Sequence, residues 1–332
     1  MAINIDTNER AKVINDVSLL TRGYIQQEGF VFTSMLQANV FDALVIRTPI
    51  DAVCLSPRIG QGARVVSECI ELINQNGLEK AIIIGNDISF IKQCPSLKYV
   101  KIYPSSDCLS GFDYSPLYEM PRIKYLSCAT EYGEKWKCKT TIDYSKIRGL
   151  EELSLAGYGH LNYQRIPSLL KLCLDNQKID SFESFDLPNL KQLRVTSCTN
   201  TSINGIEHFP KLQRLSLAYM KKLHDISALG SVSKTLRSLY LGSCPKIDSF
   251  DCLKQMHQIE FLELIGNNEI SNLDFLNDMS HIQLLRLTMN VLDGNLSQCR
   301  KIPYVDIKGR KHYNCKNKDL QKIIPSQGFL LY

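Results

Sequence analysis

The sequence has no C-x-x-C pair, no apolar run of membrane-spanning length and a single tryptophan, Trp136. The first lack removes the local signature of a zinc or dithiol redox site. The second excludes a transmembrane helix, which needs about 20 consecutive apolar residues. The N-terminus, Met1-Ala-Ile-Asn-Ile-Asp-Thr-Asn-Glu-Arg10, has neither a basic n-region nor an apolar h-region, so no secretory signal peptide is expected. There is also no P-loop, no G-x-G-x-x-G after a strand, no H-E-x-x-H and no G-x-S-x-G. Nucleotide-dependent, zinc-protease and α/β-hydrolase chemistry therefore have no carrier. The six histidines (His160, His208, His224, His257, His281 and His312) are scattered without metal-ligand spacing. No catalytic residue, metal site or cofactor is expected.

What is present is ordinary in bulk. Of 332 residues, 44% are hydrophobic, and 39 Lys and Arg against 34 Asp and Glu leave a formal charge of +5. That charge is mild for a dedicated nucleic-acid binder. Twelve cysteines are many, but their placement argues against disulfides. Cys198 and Cys244 fall at one repeated position and Cys128 takes an apolar slot, as small buried hydrophobes do. The expectation is a reduced, cytoplasmic monomer that engages neither nucleic acid nor membrane, with export by a signal-less route left open.

The organising feature is a repeat. It reads Leu212-Gln-Arg-Leu215-Ser-Leu217, then Leu236-Arg-Ser-Leu239-Tyr-Leu241-Gly-Ser-Cys244, then Ile259-Glu-Phe-Leu262-Glu-Leu264-Ile-Gly-Asn267, then Ile282-Gln-Leu-Leu285-Arg-Leu287-Thr-Met-Asn290. The x-L-x-L core alternates with the period of a strand, so one side chain in two points inward. The Asn or Cys at the end sits where the chain turns in and can bond buried backbone. One unit cannot bury its apolar face alone, so stacking is required. The middle apolar position recurs at Ala81, Val100, Leu126, Leu153, Leu172, Leu193, Leu215, Leu239, Leu262, Leu285 and Val305, eleven units separated by about 19 to 27 residues. A second apolar line lies between them, as in Ile179, Phe182, Phe185 or Leu223, Ile226, Leu229. Its three-residue spacing suits short 3₁₀ or irregular turns.

This L-x-x-L-x-L-x-x-N/C pattern resembles the leucine-rich-repeat family, and its short form N-x-x-I-x-x-L-x-x-L is similar to the internalin and phosphatase-regulator classes. The resemblance implies an α/β fold. It would be a curved horseshoe solenoid with a parallel β-sheet on the concave face and short turns on the convex face. It covers about residues 78–310, with 1–77 as an N-terminal cap of mixed helix and strands and 311–332 as a C-terminal cap with a basic tail. Within 1–77, Asp6 to Leu20 reads as a helix, Tyr24-Ile25 and Phe30-Val-Phe32 as a hairpin, and Ala43 to Arg47 and Ala52 to Leu55 as strands. Val65 to Asn76 reads as an amphipathic helix. Val40, Ala43 and Val45 fit the repeat spacing, so an early unit starts there on that reading. Two long repeats hold insertions, near Pro104 to Pro121 and around Glu131 to Lys139 with Trp136. Such insertions emerge as loops on one face or fill gaps. Asp319 to Ile324 reads as a closing helical turn.

Cys173-Leu174-Asp175 matches the short C-x-D signature of bacterial leucine-rich-repeat ubiquitin ligases. In that family the cysteine lies in a separate helical domain; here it lies inside a repeat strand, which speaks against ligase chemistry. The surface left to act is the outward x positions. Aromatics gather early at Tyr99, Tyr103 and Tyr125 and late at Tyr240, Phe261 and Tyr304. Arg194, Arg214 and Arg286 stand among them with Glu263. Tyrosine and arginine dominate interface energetics, so these ten residues are the candidate protein-binding face; the alternative is that they pack side by side across strands. The expected function is a non-enzymatic protein-interaction module. The alternatives are an immunity or inhibitor protein that occludes a toxin or enzyme, a secreted effector, or an enzyme seated in residues 1–77. That last segment contains no histidine.

Overall fold

In the computed structural model, which describes residues 43–48, 70–71, 73–75, 77, 79–85, 87–104, 112–128, 142–157 and 160–320, the alternating apolar segments become strands. The chain forms two units, 1–163 and 164–332. The first contains β1 (Ala43–Thr48), β2 (Lys80–Gly85), β3 (Tyr99–Pro104), β4 (Tyr125–Cys128), β5 (Ile142–Asp143), β6 (Glu152–Ala156) and β7 (His160–Leu161). Its sheet runs β1-β2-β3-β4-β6, all parallel, with β5 and β7 as a separate short pair. The second unit contains β8 (Lys171–Asp175), β9 (Gln192–Thr196), β10 (Arg214–Ala218), β11 (Ser238–Gly242), β12 (Phe261–Ile265), β13 (Glu269–Ile270), β14 (Leu284–Leu287), β15 (Asn290–Val291) and β16 (Tyr304–Ile307). Its sheet runs β8-β9-β10-β11-β12-β14-β16, again parallel, with β13 and β15 paired beside it.

The register is the one the spacing predicts. Ala81, Val100, Leu126 and Leu153 lie opposite one another in the first unit. Leu172, Leu193, Leu215, Leu239, Leu262, Leu285 and Val305 do so in the second. None of these eleven is more than 2% exposed. Because side chains alternate with period two, a stack in register sends every second residue inward, and a one-residue slip would invert both faces. Each fully buried leucine contributes roughly 1.5–3 kcal/mol of transfer free energy.

The second apolar line forms the opposite wall. It is built from 3₁₀ segments Ser89–Gln93, Ser115–Glu119 and Tyr144–Lys146 in the first unit, and Ile206–His208, Ser227–Val232, Asp251–Gln255, Asp274–Asn277 and Ser297–Lys301 in the second. Several open with one device. Asp87, Asp113, Asp143 and Asp225 each accept the amide N–H of the serine two residues on, at 2.8 to 3.1 Å, and Asn295 does the same for Ser297 at 3.2 Å. These Asx turns satisfy donors that a short 3₁₀ start leaves open. Phe182, Phe185 and Phe209 meet edge to face in this wall, with centroids 5.3 to 6.1 Å apart. Gly205, at φ +90, lies so close to the Phe182–Glu183 backbone that a Cβ would come within 2.2 Å of it.

Three expectations of detail change. The corner residue of the β12 rung is Asn268 rather than Asn267. Asn267 is exposed, whereas Asn268 donates from Nδ2 to the Cys244 carbonyl at 3.0 Å. The extra residue is absorbed at Gly266, which has φ +150. On the next rung buried Met289 takes the corner, and Asn290 opens β15 opposite Glu269. At the start of the sheet Leu44, not Ala43, stands opposite Ala81, one residue out of the register expected from Val40, Ala43 and Val45. The cysteine reading holds at the corners. Cys198 and Cys244 are buried free thiols whose Sγ lies 3.4 to 3.8 Å from the backbone carbonyls they face.

Ile70, Glu71, Ile73, Asn74 and Gln75 are helical, within the expected helix. Beyond β16, Arg310, His312, Tyr313 and Asn314 bond to Thr288, Val291, Met289 and Leu296 of the preceding rung, and a helical turn spans Asn317–Leu320. The expected helix from Asp6, the Tyr24 to Phe32 hairpin, the Ala52 to Leu55 strand, the Trp136 insertion and the chain after Leu320 lie outside the described residues.

Candidate functional site

The outward positions form three lanes, one before and two after the middle apolar residue of each strand. Along β8, Lys171, Cys173 and Asp175 are each half-buried while Leu172 and Leu174 between them are buried. The same alternation holds along β6 and β9. A parallel sheet with helices on both faces would bury both sets; here, among the described residues, one set stays partly open.

In the first unit this face is covered along β3 and β4. Tyr99 is half-buried, but Tyr125 is only 7% exposed, its ring centroid 6.4 Å from that of Tyr99. Lys101 and Ser127 are buried too. Tyr125 thus packs laterally and leaves little area for a partner, as aromatic cross-strand pairs do. Tyr103 is placed on β3 opposite Ile84; its side chain lies outside the described residues.

The second unit gathers the rest. In the middle lane Tyr240, Glu263, Arg286 and Asp306 lie opposite one another on β11, β12, β14 and β16. Arg286 reaches Glu263 Oε2 at 2.6 Å through Nη1 and Asp306 Oδ2 at 3.4 Å through Nε. Glu263 points outward yet is buried, so burial pushes its carboxyl above the usual range, against the pull of Arg286. Phe261 and Tyr304 are half-buried in the lane beside it, flanking buried Leu284. The hydroxyl end of the Tyr240 ring lies against Gly242, where a Cβ would come within 2.3 Å of it, so the glycine leaves the space the ring takes. Arg194 and Arg214, by contrast, are exposed.

One residue of this surface escapes the lane reading. Each strand from β8 to β11 is followed by a non-glycine residue in the left-handed region: Asn176, Ser197, Tyr219 and Ser243, at φ 53 to 54. Asn tolerates that conformation through its short polar side chain, whereas for a bulky residue it is costly. Tyr219 is the bulky exception, and it is 60% exposed. The alignment of small polar residues at one repeat position was the available signal.

Other groups offer little chemistry. Cys173 and Asp175 share the outer face of β8, and burial raises the Asp175 carboxyl despite Arg194 nearby. His160, in the first unit, sits 2.9 Å from Tyr144 Oη through Nδ1 and 3.3 Å from the Ala156 carbonyl through Nε2, and burial disfavours its charged form. Among the described residues no three His, Cys, Asp or Glu side chains are placed to hold a metal, and no helix is long and apolar enough to cross a membrane.

Neither a known protein-family profile nor a curated protein sequence matches the chain. Solved structures do. An internalin from Listeria monocytogenes superposes with a TM-score of 0.53 at 17% identity, covering 91% of this chain and 90% of its own. A leucine-rich-repeat protein of Leptospira interrogans gives 0.49 at 14% identity over 81% and 74%. The mouse RP105/MD-1 complex gives 0.45 at 15% identity over 85% and 49%. At these identities the likeness to the internalin is one of fold.

Proposed function

We propose, from the premise that this chain is a leucine-rich-repeat solenoid of the α/β class, that it is a non-enzymatic interaction module. On this reading it binds a protein partner on the outer face of the sheet in its second unit. The observation that carries this is the alternation of burial: the inward set is closed, while the outward set keeps aromatic and arginine side chains partly open at strand spacing. A sheet fixes those groups about 4.8 Å apart from rung to rung, so little ordering entropy is lost on docking. The Glu263–Arg286–Asp306 bridge adds to that rigidity by pinning the middle lane. Tyr240, Phe261 and Tyr304 supply half-buried ring area, the kind that dominates interface free energy.

The test is capture of proteins from the source cell by the full chain. Tyr240→Ala/Phe261→Ala is set beside wild type and beside a control with two exposed lysines of the turn side changed, Lys234→Glu/Lys301→Glu. A partner lost by the first variant and kept by the control supports the face. A partner kept by both variants places binding elsewhere.

A further inference from the structure

The outer face along β10 carries two guanidinium groups without an ion pair among the described residues. Arg214 opens the strand, and Arg194 stands on β9 opposite Ser216. Both are exposed. Two other arginines on these strands or at their edge are paired with carboxylates: Arg286 lies between Glu263 and Asp306, and Arg237 lies 3.7 Å from Glu260. Asp175, on β8, is near enough for Arg194 to pull its carboxyl down against the larger effect of burial, but the two form no ion pair among the described residues.

Between the arginines and the end of β10 the outward residues are small, Ser216 and Ala218. The strip is bounded along one side by Tyr240, whose ring reaches Gly242, and at its end by exposed Tyr219. From Arg214 to Ala218 is roughly 13 Å of strand, the length of about four extended residues. Resting on the reading above, we propose that this strip docks a short, extended, acidic segment of a partner protein, with carboxylates on Arg194 and Arg214 and an apolar side chain against Tyr240 and Tyr219.

The chemistry favours a carboxylate-bearing protein. Arginine's planar fork matches a carboxylate bidentately, and the pair strengthens as the partner excludes water. A nucleic-acid backbone would need cations continuing along the face; beyond Tyr240 the middle lane instead presents Glu263 and Asp306 around Arg286.

The experiment uses fluorescence anisotropy on the full chain with three labelled probes: a decamer of glutamate with one central tryptophan, a lysine decamer of the same design, and a single-stranded oligothymidine of twenty nucleotides. Arg194→Glu/Arg214→Glu is expected to weaken glutamate-peptide binding by about 10-fold or more. Lys234→Glu/Lys301→Glu, which changes the net charge equally, should shift it by less than about 2-fold. Thermal unfolding checks the fold of each variant, and Arg194→Ala/Arg214→Ala decides the matter if the charge reversal unfolds the chain. No binding of the glutamate peptide, equal loss in the lysine control, or tighter arginine-dependent binding of the oligonucleotide overturns the proposal. A cellular partner lost with Tyr240→Ala/Phe261→Ala but kept by Arg194→Glu/Arg214→Glu would leave the face reading standing and remove the acidic segment alone.

Discussion

Arg286 Nη1 stands 2.6 Å from Glu263 Oε2, and Glu263, on the outward lane of the sheet, is only 2% exposed. The pair is therefore asymmetric, with a buried anion held by a cation that is one-third exposed. Removing the cation alone strands a desolvated carboxylate. Arg286→Ala should cost about 1–3 kcal/mol in urea denaturation, and adding Glu263→Gln to it should recover part of that loss. Strict additivity of the two changes would show that the pair is not coupled.

Gly205 has no room for a methyl group. Its φ of +90 disfavours any L side chain, and a Cβ would lie 2.2 Å from the backbone of Phe182 and Glu183. Gly205→Ala should lose about 3 kcal/mol or more, through strain and overpacking together. Gly230→Ala is the comparator, because there the Cβ meets only the end of the Gln255 side chain, which can move. It should stay within about 1 kcal/mol of wild type. Equal losses would contradict this placement of Gly205.

The Asx turns make an acid-sensitive element. Asp225 lies below its ordinary value of 3.8, chiefly because the Ser227 amide bonds it, and Asp143 is lowered by its Ser145 hydrogen bonds. A depressed folded value means the contribution is present above the unfolded pKa and lost as pH falls through the folded one. Asp225→Ala should cost about 1 kcal/mol at neutral pH, the usual worth of a capping side chain. Asp225→Asn, which keeps the acceptor as Asn295 does, should keep most of the stability and flatten the acid limb of a thermal-melt series between about pH 5 and 2.

Tyr219 holds a left-handed backbone that glycine or asparagine adopts more readily. Tyr219→Asn should therefore raise stability by up to about 1 kcal/mol while weakening capture of a partner. Stability falling on substitution would mean that the ring contributes to packing despite its exposure.

The repeat was readable because burial forces it. Each rung must send two apolar side chains inward in phase with its neighbours, so the middle positions align as their spacing predicts within each unit, from Ala81 to Leu153 in the first and from Leu172 to Val305 in the second. Where that constraint relaxes, the reading slips by a residue. Gly266 absorbs an extra position and moves the corner to Asn268, and β1 pairs through Leu44. The candidate face was legible as lanes, but its degree of burial was not. Tyr125 and Glu263 both point outward and both are buried, with Tyr99 and Arg286 beside them, and pattern alone cannot say how far an outward side chain is covered. The Asp-x-Ser turns and Tyr219 went unread because their role lies in backbone geometry, not in hydrophobic period.

The most direct measurement places a photo-crosslinking amino acid at Ser216, in the middle of the outer face of β10, and in a second version of the full chain at Lys254, exposed in a 3₁₀ segment of the opposite wall. After irradiation in the source cell, a discrete protein adduct from position 216 and none from position 254 is the expected result. Adducts from position 254 alone would contradict the assignment of the sheet's outer face as the binding surface.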